Sequence, residues 1–351
     1  GWNGLNKTGS MELEYAQGFQ VDYYEGGYDL ITIEEDQYLL VPEGKTAPEG
    51  LDDRVTVLQE PLENLYVASS SAMDLFLQAG AIEQVDMTST SAKNWAIPEI
   101  RDKVAADDIL FVGKYNAPDY EVVLDEGCGL AVENTMISHS PEVKEKLEQL
   151  GVPVLVERSS YEEGPLGRVE WIKLYGLLTG HLDEAEQFFW NSVQQVQAVE
   201  QMAAGNETGR PTVAFFYFTA SGYANVRTPN DYISQMIELA GGSYAFSADE
   251  LGEQGNRSTV NMDPEQFYAT AKDADILIYN STVEGTLPSL DALLEKSPLM
   301  KNCRAISTGN VFCTGQNMFQ QVSGTAEMIS DLHAVISGDT EQPLTFLYRL
   351  Q

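Results

Sequence analysis

Pro141-Glu142-Val143-Lys144-Glu145-Lys146-Leu147-Glu148-Gln149-Leu150-Gly151-Val152-Pro153-Val154-Leu155-Val156 is the stretch on which the fold turns. Pro141 stands where a first helical turn tolerates a missing N–H. Val143, Leu147 and Leu150 share one helical face, and Gly151 ends the helix. Pro153 to Val156 then gives a short apolar run that reads as a strand. Helix, cap and strand in that order form one repeat of an open α/β sheet. Working outward, Leu65 to Ala68, Ile109 to Val112 and Leu130 to Val132 are short apolar runs alternating with helical segments, which predicts a mainly parallel sheet covered by helices. A second such region begins with the β-branched and aromatic run Thr212 to Phe218 and continues through Ile276 to Tyr279 and Arg304 to Ser307.

Between the two regions, Asp183 to Ala204 places Ala185, Phe188, Phe189, Val193, Val196 and Val199 at helical spacing, with no Gly or Pro before Gly205. This predicts one helix of about 22 residues, roughly 33 Å long, joining two α/β lobes more stiffly than a Gly/Ser linker would. Residues 13–42 differ in texture. Tyr- and Ile-rich runs split by Gly26-Gly27 and by Glu34 to Asp36 read as short antiparallel strands. The expected organisation is a β-rich extension over 1–54 packing on the first lobe, an α/β lobe over 55–182, a connecting helix over 183–205 and a second α/β lobe over 206–351.

The 351 residues carry 20 Lys+Arg against 54 Asp+Glu, a formal charge of −34. Such a surface repels the phosphates of nucleic acid and the anionic face of a membrane. With 43% hydrophobic and 10% aromatic residues, the chain has the apolar content of packed cores. No run approaches the roughly 20 apolar residues of a membrane helix. The small polar opening from Gly1 to Ser10 reads as a mature N-terminus from which an export signal or lipid anchor has been removed.

Cys128, Cys303 and Cys313 have no metal-binding spacing; a Cys303–Cys313 disulfide and three buried thiols are both open. His139, His181 and His333 are far apart, and the acid runs lack the alternation of a calcium loop, so no metal site is expected. No Gly-x-Ser-x-Gly elbow or phosphate-binding loop occurs, and no catalytic residues are assigned. Gly241-Gly242 reads as a helix terminator. What remains are polar and aromatic residues where strands end, the usual ligand side of an open α/β sheet. They are Lys114-Tyr115, Glu133-Asn134, Thr219 to Arg227, and Gln316 to Phe319.

Several segments resemble, in order, the ABC-transporter substrate-binding proteins of the iron-siderophore, haem and cobalamin type. Ser69-Ser70-Ser71-Ala72-Met73-Asp74-Leu75-Phe76-Leu77-Gln78-Ala79-Gly80 is similar to the strand-to-helix opening of that family. Ala117-Pro118-Asp119-Tyr120-Glu121 with Cys128 to Val132 stands where the family has an Asn-Leu-Glu segment and its following strand. Leu150-Gly151-Val152-Pro153-Val154 and Leu239-Ala240-Gly241-Gly242 match further turns, and Met262 to Tyr268 with Lys272 to Ile278 resembles the Glu-bearing helix and strand of the second lobe. Pro165 to Gly176 looks like the variant of Gram-positive gut anaerobes, whose protein is lipid-anchored outside the cell.

The resemblance, over about residues 60–340, implies two Rossmann-like lobes joined by one helix, with a ligand cleft between them. It implies an extracellular, monomeric binding component of an ABC importer that captures an iron complex, a ferric siderophore or haem, and performs no chemistry on it. No intrinsic cofactor is expected. Cobalamin is the alternative cargo, and a cell-surface enzyme or adhesion module reusing the fold is the alternative of another class. Glu121 and Glu265 fall at the positions where the family grips Arg pockets of the permease. The first lobe would offer the ligand Trp95, Lys114, Tyr115, Glu133 and Asn134; the second would offer Tyr217, Tyr223, Arg227, Met318 and Phe319. Aromatic rings suit a corrin, porphyrin or catechol, and Lys114 and Arg227 suit anionic groups. Tyr115, Tyr223 and Met318 are candidate axial ligands for haem, with His139 a weaker one. Few basic residues stand among these positions, which weighs against a triply anionic siderophore.

Overall fold

The computed structural model describes residues 2–206 and 209–351. They form two compact units, Gly1–Glu162 with Leu166–Trp190, and Glu163–Pro165 with Asn191–Gln351. The division falls inside a helix, Leu182–Ala204, that takes in the predicted connecting segment 183–205 except Gly205. The first 54 residues are not a unit of their own; they cluster with the first lobe.

The first unit holds two sheets. One is made of β1 (Lys7–Ser10), β2 (Gln20–Tyr24), β3 (Tyr28–Ile33), β4 (Asp36–Val41) and β5 (Val55–Gln59), in that spatial order. Its first four strands are antiparallel, as their turns predict, while β5 runs parallel to β4. The extension therefore ends after Gln59, several residues beyond the boundary the sequence suggests. The second sheet contains β6 (Leu65–Val67), β7 (Val85–Thr88), β8 (Leu110–Phe111), β9 (Ala131–Glu133) and β10 (Val154–Val156). Its order is β10-β9-β6-β7-β8 and every pairing is parallel. The helix Pro141–Gln149 buries Val143 and Leu147 against this sheet, and Gly151 at φ 83° leads into β10. Helix, cap and strand thus form in the predicted order, but Leu150, expected on the face of Val143 and Leu147, is the C-cap residue and is exposed.

The second unit is built on β11 (Thr212–Phe218), β12 (Ala224–Arg227), β13 (Ser243–Tyr244), β14 (Thr259–Met262), β15 (Ile276–Tyr279), β16 (Val311–Thr314) and β17 (Leu347–Arg349). β11, β15 and β16 are the parallel centre; β12, β14 and β17 join antiparallel. The sheet is mixed rather than uniformly parallel. An aromatic cluster fills one side, with the Phe216 ring 4.7 Å from Phe267 and 5.8 Å from Tyr279.

One expected strand is corrected. Arg304 to Ser307 lies in a short helix, Arg304–Thr308, stopped by Gly309 in the left-handed conformation. Only Ala305 of this segment is fully buried, on one side of a helical turn, whereas Val311–Thr314 is buried at every position and takes a place inside the sheet, between β15 and β17. The three cysteines are all free, so Cys303 and Cys313 form no disulfide. The Cys303 thiol lies 3.9 Å from the Met300 sulfur.

The segment Pro165 to Gly176, distinctive in sequence, has a structural task. Glu170 is fully buried and accepts from the backbone N–H groups of Glu14, Tyr15 and Ala16 at 2.7–3.0 Å and from the Lys173 ammonium at 2.8 Å. Glu162 accepts from Gln17 N at 3.0 Å, Gly18 N at 2.6 Å and Trp171 Nε1 at 2.9 Å. Lys173 also donates to Glu12 O at 3.0 Å. Five consecutive amides, which no ladder or helix satisfies, are thereby met by two buried carboxylates, as buried backbone donors require. Gly18 permits the approach, since a Cβ there would stand 2.8 Å from Glu162 Oε1 and 2.9 Å from Trp171.

Candidate functional site

In the first unit the candidate residues lie at and beyond the carboxyl ends of β7, β8 and β9. β8 leads through Gly113, at φ 99°, into an exposed Lys114 and a half-buried Tyr115 packed on the apolar cluster around Tyr66 and Val123. Lys114 has no ion-pair partner among the described residues. Asn134 caps the next turn, its Oδ1 accepting from Met136 N at 2.8 Å, and leaves Met136 and His139 exposed. Trp95 is 3% exposed, with its indole N–H donating to Thr90 O at 3.0 Å. Its ring is spent on packing.

Glu133 and Glu157 end adjacent strands and are treated in opposite ways. Glu157 is buried and satisfied, accepting from Ser69 Oγ and Ser159 N, each at 2.8 Å. Glu133 is 0% exposed, and neither carboxylate oxygen has a hydrogen-bond partner. The period of two in β9 puts it on the face of Ala131, toward the apolar cluster of Tyr66, Val143 and Leu147. Burial pushes its carboxyl up to about 8, so at neutral pH it is a neutral acid. Its charged form in turn contributes, after burial, to raising the Tyr66 hydroxyl. The sequence correctly puts Glu133 at a strand end, but the structure turns it into the core.

In the second unit, Thr219 to Tyr223 is a tight turn between β11 and β12: Thr219 N donates to Tyr223 O at 2.8 Å, and Tyr223 N to Thr219 Oγ1 at 3.0 Å. Tyr223 is held on it 47% exposed, whereas Tyr217 is half-buried against the core. Arg227, ending β12, is brought to Phe319 from a distant segment. The guanidinium carbon lies 5.3 Å from the Phe319 ring centre and 6.0 Å from that of Tyr232, with Asp231 Oδ1 3.6 Å from Arg227 Nη1. The Arg227 side chain is only 12% exposed. A planar cation packed against rings and paired with a carboxylate is rigid and largely neutralised. Met318, next to Phe319, is buried. Tyr232 and Asp231 are members of this group that strand-end position alone does not single out; the helix start Asp231-Tyr232, four residues after Arg227, is the signal that points to them.

Glu121 and Glu265 share one local construction. Each is exposed in the first turn of a short helix, Tyr120–Asp125 or Pro264–Ala271, two residues after an Asp cap. Glu121 N donates to Asp119 Oδ1 at 3.1 Å, and Glu265 N to Asp263 Oδ1 at 3.0 Å. The cap orders the turn and leaves the Glu carboxylate free of it. Among the described residues, no group of three or more His, Cys, Asp or Glu is placed to hold a metal, and no helix is long and apolar enough to cross a membrane.

The sequence pattern of the periplasmic binding proteins matches residues 67–318, most of the chain and parts of both units. The chain belongs to this family. Among curated relatives, an uncharacterised lipoprotein of Methanocaldococcus jannaschii is 25% identical over 304 residues, covering 83% of this chain and 69% of the relative. A cobalamin-binding protein of Halobacterium salinarum is 24% identical over 281 residues, covering 79% of this chain and 69% of its own. Among solved structures, a periplasmic haem-binding protein from Pseudomonas aeruginosa superposes with a TM-score of 0.64 at 16% identity, covering 82% of this chain and 98% of its own. A periplasmic binding protein from Veillonella parvula gives 0.63 at 14% identity over 92% of this chain and 98% of its own. As a periplasmic binding protein, the chain has the α/β fold with parallel sheets and a long helix that its sequence predicts. Strands β1 to β5 lie outside the matched region.

Proposed function

We propose that this protein is the extracytoplasmic solute-binding component of an ABC importer, held at the cell surface by a lipid anchor, and that it captures a metal chelate, haem or a ferric siderophore. It delivers the cargo unchanged, with Glu121 and Glu265 as permease contacts through Arg pairing. Family membership carries this reading. It is supported by two sets of strand-end aromatic and polar residues, one per unit, with Tyr115 and Tyr223 offering flat surface and Lys114 a free cation.

A corrinoid is the second reading, and Arg227 favours it. With Asp231 beside it and Phe319 and Tyr232 against it, Arg227 has little charge left for a carboxylate or catecholate. The chain as a whole is at −34, so a strongly anionic chelate meets repulsion that a ring bearing neutral amides does not. Titration of the protein with haemin, cyanocobalamin and ferric enterobactin, read by tryptophan fluorescence and checked by calorimetry, tests both readings. Saturable one-to-one binding of any of them is expected. Silence from all three in both assays refutes the assignment.

A further inference from the structure

The loop after β10 carries Tyr161, which is 65% exposed, the most exposed of the large apolar and aromatic side chains. Free aromatic rings on a surface are usually mobile, but this loop is fixed from several sides. At its start, Arg158 Nη1 is 3.0 Å from Glu34 Oε1, and Glu34 occupies the turn between β3 and β4 at φ 53°. The Arg158 guanidinium also lies 5.3 Å from the Tyr161 ring centre. In the middle, Ser159 N donates to Glu157 Oε2 at 2.8 Å and Arg168 Nη2 donates to Ser160 O at 2.7 Å. Directly after Tyr161 stands Glu162, which holds the amides of Gln17 and Gly18. The loop is therefore gripped at both ends by the N-terminal sheet and its strap, the part of the chain outside the family match.

We infer that this N-terminal module is part of the ligand-binding apparatus, and that through Glu34–Arg158 and Gln17/Gly18–Glu162 it presents Tyr161 as an aromatic platform for the cargo. The loop leaves the carboxyl end of β10, beside the β9 end that carries Asn134, where open parallel sheets receive ligands. An exposed ring stacked on a fixed cation has already lost its rotamer freedom, so covering it with a flat ligand costs little further entropy. The ion pair alone is worth little at this exposure; its effect lies in fixing the orientation of the ring. A module that served only as a spacer would need neither contact.

This inference rests on the solute-binding reading, and the test separates the two. Wild type, Tyr161→Ala, Tyr161→Phe and Glu34→Arg are titrated with haemin, cyanocobalamin and ferric enterobactin. For whichever probe wild type binds, Tyr161→Ala is expected to weaken binding about tenfold, as loss of one stacking partner does. Tyr161→Phe should stay within about twofold, and Glu34→Arg, which sets like charge against Arg158 on the surface, should weaken binding about threefold with an unchanged melting temperature. Gly18→Ala, whose Cβ would press on Glu162 Oε1, should act in the same direction. Wild-type binding that Tyr161→Ala leaves intact overturns the platform while the function stands. A Tyr161→Ala effect with none from Glu34→Arg overturns the role of the N-terminal module. If wild type binds no probe, the function and this inference fall together.

Discussion

Replacing Glu133 by glutamine isolates the cost of a buried, unpartnered carboxyl. In the folded protein the group titrates at about 8, against an ordinary value of 4.5. Between these two values the unfolded chain has released a proton that the folded chain keeps. Stability therefore falls as pH rises through the window, and it is unaffected by this group below pH 4.5. The slope approaches about 1.4 kcal/mol per pH unit, so the full displacement corresponds to about 5 kcal/mol and the part felt at pH 7 to about 3 kcal/mol. Glutamine keeps the shape and cannot ionise. Its own burial cost is the same at every pH, so the difference between variant and wild type is the quantity to follow. Urea unfolding at pH 5, 6, 7 and 8, followed by tryptophan fluorescence, reports this unit, because all four tryptophans lie in it. Glu133→Gln should gain on wild type by about 1 kcal/mol for each pH unit. Asp29, which burial and the neighbouring Glu60 push up to about 7, titrates in the same window but cancels in the difference. A difference that stays flat from pH 5 to 8 would mean that Glu133 has a partner or is solvated, and the reasoning from burial would be wrong.

Glu170→Ala strips the carboxylate partner from the Lys173 ammonium, which keeps the Glu12 carbonyl, and the acceptor from three backbone amides at once, and should cost about 3–5 kcal/mol by thermal or urea unfolding; a loss under about 1 kcal/mol would show that the strap is held elsewhere. Charge reversal by Glu121→Arg with Glu265→Arg should abolish uptake in proteoliposomes carrying the cognate permease, with cargo affinity unchanged. Undiminished uptake would remove both residues from docking.

Much of the fold was legible because it depends on neighbours in sequence. The cap and turn at Gly151, the strand from Val154, the helix through Phe188 and Val196, and the Asp caps before Glu121 and Glu265 are set within a few residues of each one's position. Where the reading failed, local signals were balanced: Arg304 to Ser307 has the composition of either a strand or a helix, and the choice went to Val311–Thr314 because that run is buried on both faces of the sheet. The site was half legible. Strand ends were found, but their exposure was not.

By itself, then, the sequence determined the alternation of strands and helices, the long helix and the polar strand ends of each unit. Only the tertiary structure decided that Glu133 and Trp95 face inward, that Arg227 meets Phe319, and that Glu162 and Glu170 reach back some 145 to 156 residues to hold the N-terminal strap. Backbone conformation is settled largely by short-range sterics and hydrogen bonding. Burial and partnership depend on which distant element arrives over a side chain, and no local stretch of sequence contains that information.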